Sequence, residues 1–444
     1  MSKTDLAPLW LTARPLPKYP RLARDLRVDV VVVGGGITGV TAAYLLKRAG
    51  RTVALIDRGR CGHGETRHTS AHLTAVTDRS LGDLVHALGR DHAQAVWESG
   101  FAAISRIRAL VRDERINCQF AWVPGWLYAS RDADPFDARV ALQREAAIAV
   151  DLGVDAAFVE RVPGLDRPGI VFDSQARFDP LAYLEVLVSR IDGDGSHVFE
   201  DTEADCITTD PVTVSAGGAT VTADYLVMAT HQPIAMASAG PGAILDDRVR
   251  SLRTYALRAV APRSAIMEGL YWESVSGAHE HLRIDHRRDH DEVIFGGGDK
   301  PAVDEVAGHE VSSFVDLERR LQSIVSGARV THRWSGLVIE TSDGLPHIGE
   351  TSPSCFAATG FAGNGMTFGT LAGMMAADAA TGRLNPWRHL FDINRTGLPM
   401  GDWNYPAENR DYPAFLHREP QHDGKGHARH LRRGRVDRPL VVND

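Results

Sequence analysis

Gly34, Gly36 and Gly39 stand in the spacing G-x-G-x-x-G, directly after an apolar run from Val28 to Val33 that only Asp29 interrupts. That spacing suits a bound diphosphate. The first glycine permits a tight turn, the second lets main chain approach the phosphates, and the third lets helix close on strand. The segment Gly34, Gly35, Gly36, Ile37, Thr38, Gly39 runs into a predicted helix from Thr38 to Ala49, whose positive N-terminal end would face the phosphates. A second predicted strand, Thr52 to Ile56, ends at Asp57, with Arg58 next in line. That places an acid about 20 residues beyond the glycines, where its carboxylate can accept from ribose hydroxyls. Dinucleotide binding follows from strand, glycines, helix and acid together; the pattern does not choose between NAD and FAD.

The elements around this stretch indicate an α/β protein. An uninterrupted apolar strand suits a parallel sheet buried on both faces. The chain has 444 residues, 43% hydrophobic and 24% charged, enough for two domains of ordinary globular composition. A net charge of −8 gives no reason to expect a nucleic-acid partner. Cys61, Cys118, Cys206 and Cys355 are scattered without a C-x-x-C, which fits a reducing compartment and neither a disulfide framework nor a metal centre. No apolar run approaches the roughly 20 residues of a membrane span, and the N-terminus lacks the apolar core of a secretion signal. A cytoplasmic location is the expectation.

After Asp57 a Gly-, Thr- and His-rich loop, RGRCGHGETRHTSAHLTAVTD, is placed to run back along a cofactor. Leu81 to Asp113 reads as helix with a break at Gly89 or Gly100. Phe120 to Ser130 reads as a hairpin turning at Pro124-Gly125, and Gly169 to Phe178 as a pair of short strands. Asp137 to Leu152 and Pro180 to Ile191 are predicted helices, the second capped by Asp179. Val249–Pro262, Gly269–Glu273, His281–His286 and Glu292–Gly297 form a β-rich block expected to be antiparallel with one face toward a ligand. A helix over Val311–Val325, a strand over Val330–Ile339 and another over Cys355–Thr359 follow. Beyond Asn404, Pro, His and Arg accumulate; such a stretch reads as a solvated tail or as a docking arm.

Several segments together resemble one family: the glycine fingerprint with Asp57, ADYLVMATH, RWSGLVIETSDGLPHIGE and ATGFAGNGMTFGTLAG. Their order is similar to that of FAD-dependent oxidoreductases of the D-amino-acid oxidase and glycine oxidase superfamily. Within it the chain looks closest to bacterial flavoproteins that often carry a C-terminal Rieske domain, through GETRHTSAHLT, His231 and Pro233 of ATH-x-P, and NPWRHLFDINR. A Rieske centre needs two Cys and two His, and no cysteine follows Cys355, so that domain is not expected. The resemblance implies a Rossmann-like FAD-binding domain from residues 26–80, 170–248 and 335–400. It implies a second, α+β substrate domain on an antiparallel sheet, residues 81–169 and 249–334, with residues 401–444 as tail.

The same resemblance assigns Thr66, His68 and Thr69 to the cofactor loop, Cys206 to the strand passing the adenine, and Thr230 to the phosphate end. Gly360, Gly363, Asn364, Gly365, Met366 and Thr367 would lie against the flavin ring, with a helix start steadying the charge that reduction adds. In relatives that oxidise N-methylglycines, a His matching His68 is bonded to the flavin 8α-methyl group. A covalent bond, a plain flavin contact and an ordinary loop histidine are the three readings of His68, while His63 and His72 read as loop residues. Substrate-side candidates are Arg258, Trp272, His281, Arg283 and Glu340: a guanidinium suits a carboxylate, an acid suits a cationic amine. Glycine-oxidase-like relatives often place an Arg after W-x-G-x, where this chain reads Val338-Ile339-Glu340.

The implied activity is oxidation of a C–N bond in an amine or amino acid by hydride transfer to flavin N5. The electron acceptor would be oxygen, a quinone or a redox protein, and no catalytic side chain is singled out. The alternatives are oxidation of a C–O substrate, or a flavoprotein acting mainly by docking a partner through its tail.

Overall fold

A computed structural model of the chain describes residues 8–12, 17–231, 248–274, 280–302 and 309–398. Strand Leu26–Val33 is the centre of the first sheet. It pairs in parallel with Val53–Ile56 on one side and with Ala219–Met228 on the other. Strands His197–Phe199 and Cys355–Thr359 extend the parallel order, and His347–Ser352 closes one edge antiparallel. Alternate side chains of the central strand enter different cores: Val30 and Val32 pack with one, Val31 and Val33 with the other. Burial on both faces is what an unbroken apolar strand requires. Asp29, the interruption, accepts from the N–H and hydroxyl of Thr52 at 2.7 and 2.9 Å, and the Thr52 N–H in particular holds its carboxyl below the usual range.

The helix after the glycines is Ile37–Arg48. Helix Gly365–Ala380 packs on it through glycine. A methyl on Gly369 would sit 2.7 Å from Ile37 Cγ2, and one on Gly373 would sit 2.8 Å from the Thr38 carbonyl. Small residues let two backbones approach, so the two helices begin side by side. Pro180–Ile191 flanks them, capped as expected by Asp179, which accepts from the N–H groups of Leu181 and Ala182.

The second sheet runs Arg329–Thr341, Val249–Pro262, His290–Pro301, His281–His286, Gly269–Glu273, Ala121–Tyr128, Gly169–Arg177, with His72–Leu73 at its far edge. Its pairings are antiparallel except Gly269–Glu273 beside Ala121–Tyr128, which is parallel. Along Val249–Pro262, Tyr255, Leu257 and Ala259 pack beneath helix His309–Ile324 together with Phe314, Leu317 and Leu321. The intervening Thr254 and Ala256 face the other way, into a cleft.

Two sequence readings are corrected. Phe120–Ser130 is not a hairpin but one strand, Ala121–Tyr128, with an irregular register between Val123 and Gly125. Pro124-Gly125 makes a bulge there, and Gly125 is bare because the Trp272 ring lies where its Cβ would be, 2.5 Å away. Gly169–Phe178 is likewise one strand, Gly169–Arg177. It belongs to the second sheet, so a boundary at residue 170 falls inside it, as one at 335 falls inside Arg329–Thr341. Helix 81–113 does break at Gly89, whose φ of +83° separates Leu81–Leu88 from Arg90–Asp113. The tail after Asn404, and Pro233, lie outside the described residues.

Candidate functional site: a cleft between the two sheets

A cleft of about 1940 Å³ opens between the sheets. At one end its floor is the fingerprint turn. Gly34 adopts φ +105°, and a Cβ there would strike the Ala229 carbonyl at 2.3 Å. Gly35 donates to Asp57 Oδ2 at 2.7 Å and Gly59 to Asp57 Oδ1 at 2.8 Å. Asp57 thus pins the turn with one lone pair on each oxygen, leaving acceptor capacity toward the cleft it lines. Thr66 Oγ1 accepts from Ile37 N at 3.1 Å, anchoring the loop that follows the second strand to the start of the fingerprint helix.

Neither helix that opens at the cleft is capped by the side chain of its own N-cap residue. Gly36 and Asn364 are their N-caps, neither makes a side-chain cap, and neither helix has an acid in its first turn. The first N–H groups of a helix have no partner within it, and the helix dipole adds positive charge there. One end suits a diphosphate and the other the electron-rich edge of a reduced ring. The second helix start is clamped from below. Gly363 N donates to Asp78 Oδ2 at 2.8 Å, Asn364 Nδ2 to the Val76 carbonyl at 2.9 Å, and Thr367 Oγ1 to the Thr74 carbonyl at 2.9 Å.

Between the two helix starts lies a small polar group. Glu65 Oε2 accepts from Leu337 N at 2.8 Å and lies 3.4 Å from His68 Nδ1. Burial alone would raise its carboxyl; His68 and the Leu337 N–H outweigh that and hold it low. Arg67 Nε lies 3.2 Å from His68 Nε2, and Trp334 Nε1 donates to the His68 carbonyl at 2.7 Å. His231, held at φ +67°, keeps a buried Nε2 without a hydrogen-bond partner, and burial lowers its pKa despite Glu65 nearby. A glycine floor, two helix starts without an N-cap side chain or a first-turn acid, and an orphaned imidazole nitrogen fit a large dinucleotide.

A family model described as FAD dependent oxidoreductase, DAO, matches residues 29–379. The chain belongs to the DAO family of FAD-dependent oxidoreductases. FAD is the cofactor of this DAO chain, and the residues above are those that fit it. Among curated relatives it is 27% identical over 440 residues to a putative Rieske 2Fe-2S iron-sulfur protein YhfW of Bacillus subtilis, covering 97% of this chain and 81% of that one. It is 24% identical to the gamma-glutamylputrescine oxidoreductase of Escherichia coli, covering 84% and 88%. Among solved structures, glycine oxidase from Geobacillus kaustophilus superposes with a TM-score of 0.67 at 19% identity, over 83% of this chain and 99% of that one. The likeness is one of fold.

Not every expected site residue reaches the cleft of this DAO chain. Gly34, Gly36, Ile37, Thr38, Asp57, Arg58, Thr66, His68, Thr69 and Thr230 line it, as do Gly363, Asn364, Gly365 and Met366. Gly35, Gly39, Gly360 and Thr367 stand behind the wall as support; a Cβ on Gly39 would lie 1.8 Å from the Gly34 carbonyl. Cys206 is exposed at the start of an outer hairpin, away from the cleft. The neighbouring stretch Thr202, Glu203, Ala204 lines the cleft instead.

Of the substrate-side candidates, Trp272, His281 and Glu340 line the cleft. Trp272 stacks on Phe172, and Glu340 pairs with Arg250 at 2.6 Å. Arg283 does not line it. It is 2% exposed and spends its donors on Asp285, at 3.0 and 2.8 Å, and on the carbonyls of Ser70, Ala71 and Phe178. Arg258 is held by Glu292 and Thr331. His72 is no loop residue: it is a strand residue on the cleft wall, its ring edge-on to His281 at 5.4 Å. Burial, then the charges of His281 and Arg283, hold His72 well below its ordinary pKa, so it stays neutral. Sequence reasoning missed Thr74–Asp78, whose Thr74 and Val76 carbonyls and Asp78 carboxylate hold the Gly363–Thr367 segment. Its single signal is Thr, Asp and small residues just before a helix. Among the described residues no group of three His, Cys, Asp or Glu is placed to hold a metal.

Proposed function

We propose that this enzyme oxidises a C–N bond of an amine or amino acid, with hydride passing from the carbon bearing nitrogen to the flavin ring. The supporting observation is what one cleft brings together. The helix start at Asn364, with no N-cap side chain, and the roof residues Trp272, His281 and Val338 of the second sheet line the same cleft. Bound FAD supplies a ring that accepts two electrons with the hydride. The chain positions the carbon and excludes water. Trp272, Leu127 and Ile339 give that part of the wall an apolar surface, which strengthens every electrostatic contact nearby.

The electron balance is simple. The C–H bonding pair leaves with hydrogen, and the nitrogen lone pair closes a C=N bond. Water then adds to that imine, giving a carbonyl compound and a free amine. The nitrogen must arrive unprotonated for its lone pair to act. No side chain is assigned as base: neutral His72 lies 2.8 Å from Ser70 Oγ and 3.4 Å from the Leu282 carbonyl.

The test is spectroscopic. The purified protein should be yellow, and acid precipitation should leave the colour in the supernatant. Colour in the pellet that His68→Ala releases would instead show a covalent bond at His68. Anaerobic bleaching by a panel of amines, amino acids, alcohols and hydroxy acids then decides the reaction. Bleaching by alcohols or hydroxy acids alone would refute the reading.

A further inference from the structure

His231 closes the ATH segment that follows strand Ala219–Met228. Its φ of +67° lies in the left-handed region, where glycine is at home and a side chain with a Cβ is crowded. Nine non-glycine residues among those described have positive φ. Of these only His231 and Ala362 line the cleft, and only His231 brings a polar side chain to it. Such backbone is kept where the surroundings fix it, ligand clamps among them.

The ring has one need that the protein does not meet. Burial lowers its pKa against the pull of Glu65 and the Leu337 main chain, so at neutral pH it is uncharged. A neutral imidazole has one N–H and one lone pair. Nε2 is buried without a hydrogen-bond partner. The neighbouring polar groups are engaged. Glu65 Oε2 accepts from Leu337 N at 2.8 Å and lies 3.4 Å from His68 Nδ1. The Thr359 hydroxyl donates to the carbonyl of His231 itself at 2.8 Å. A buried polar atom left without a partner is costly, which points to the bound cofactor as its source.

The place of His231 in the fold says which part of the cofactor. Two residues earlier, the Ala229 carbonyl lies 2.3 Å from where a Cβ on Gly34 would be, so this segment crosses the fingerprint turn. On its other side Thr359 leads on to Gly363 and the helix start at Asn364. His231 therefore stands between the turn that suits the diphosphate and the loop that suits the ring. In FAD those two groups are joined by a ribityl chain bearing hydroxyls. A hydroxyl donates and accepts, so it satisfies Nε2 in either tautomer, whereas a phosphate oxygen only accepts.

We propose that His231 is a cofactor-holding residue whose Nε2 hydrogen-bonds a hydroxyl of the ribityl chain of FAD. The inference rests on FAD as the cofactor and holds whichever bond the flavin oxidises.

The test reads binding, not turnover. The full chain, freed of flavin, is titrated with FAD and with FAD analogues lacking the 2′-, 3′- or 4′-hydroxyl of the ribityl chain, while flavin fluorescence is followed. His231→Gly and His231→Asn remove the ring and place residues that accept a left-handed backbone, and thermal unfolding of each reports that it folds. Both should bind FAD about five- to tenfold more weakly, the ratio that one net hydrogen bond sets. In the parent, one of the three deoxy analogues should be weakened by a similar factor. In the variants, that analogue and FAD should bind alike. FAD lacking a hydroxyl on its adenosine ribose is the control, and its penalty should be the same in parent and variants. Parental FAD affinity in a folded variant, or ribityl penalties equal in parent and variants, would overturn the proposal. So would the absence of any ribityl penalty in the parent, which needs no variant at all. A penalty that His231→Gly abolishes only for the adenosine ribose would also overturn it, by placing the ring at the other sugar.

Discussion

Arg283→Met separates a structural arginine from a substrate-binding one. The guanidinium makes two bonds to Asp285 and three to main-chain carbonyls, and its charge lies 5.4 Å from the centre of the Trp10 ring. Methionine fills similar volume but leaves the carbonyls of Ser70, Ala71 and Phe178 short of a donor. Breaking a buried pair from one side costs about 3–5 kcal/mol. Asp285 keeps Arg177 at 2.9 Å, which favours the lower half of that range. For a domain of 150–250 residues, about 2–4 °C per kcal/mol translates about 3–4 kcal/mol into a Tm lower by about 6–16 °C. Thermal unfolding of the holoenzyme gives the Tm, and steady-state kinetics on the surviving fold should show KM within about threefold of the parent, well under a 1.4 kcal/mol change. A Tm within 2 °C of the parent (about the effect of 1 kcal/mol at most), with KM raised more than tenfold, would refute the structural role and restore Arg283 to the substrate.

Two further outcomes follow from other parts of the structure. Gly39→Ala puts a methyl 1.8 Å from the Gly34 carbonyl, an overpacking of about 1–3 kcal/mol that must open the fingerprint turn. The variant should purify without flavin, and a parental ratio of flavin to protein absorbance would count against the assigned floor. His347, 2% exposed, has its pKa lowered to about 4 by burial and by Arg395. A group depressed from 6.5 to about 4 binds its proton more readily when unfolded. Stability should therefore fall on acidification from about pH 6.5 toward 4, by on the order of 2 kcal/mol after allowing for solvent screening. His347→Gln should flatten that slope in urea titrations, and equal losses in both proteins would acquit the histidine.

Much of this architecture was legible before any coordinates because its signals are local. A strand buried on both faces, glycines at fixed spacing and an Asp before a Pro are each decided within a few residues, and Leu26–Val33, Ile37–Arg48 and Asp179 follow them. What was misread depended on distant partners. Pro124-Gly125 carries a turn signature, yet glycine is needed there for the ring of Trp272, which lies 147 positions on in the chain. Arg283 looked free to meet a carboxylate, but residues two apart on a strand share a face, and Asp285 is that neighbour. That signal was available. The crossing of residues 202–204 beside the cleft, in place of Cys206, depended on where an outer hairpin starts, which nothing in its composition reveals.

One stretch of main chain, residues 70 to 78, is shared property. Its first carbonyls, on Ser70 and Ala71, are gripped by Arg283 of the second sheet; its last, on Thr74 and Val76, by Thr367 and Asn364 at the start of helix Gly365–Ala380. The second sheet and the start of helix Gly365–Ala380 are therefore yoked. Anyone transplanting strands from a relative to change what this enzyme eats should graft that connector along with them, or the flavin seat will shift under the new roof.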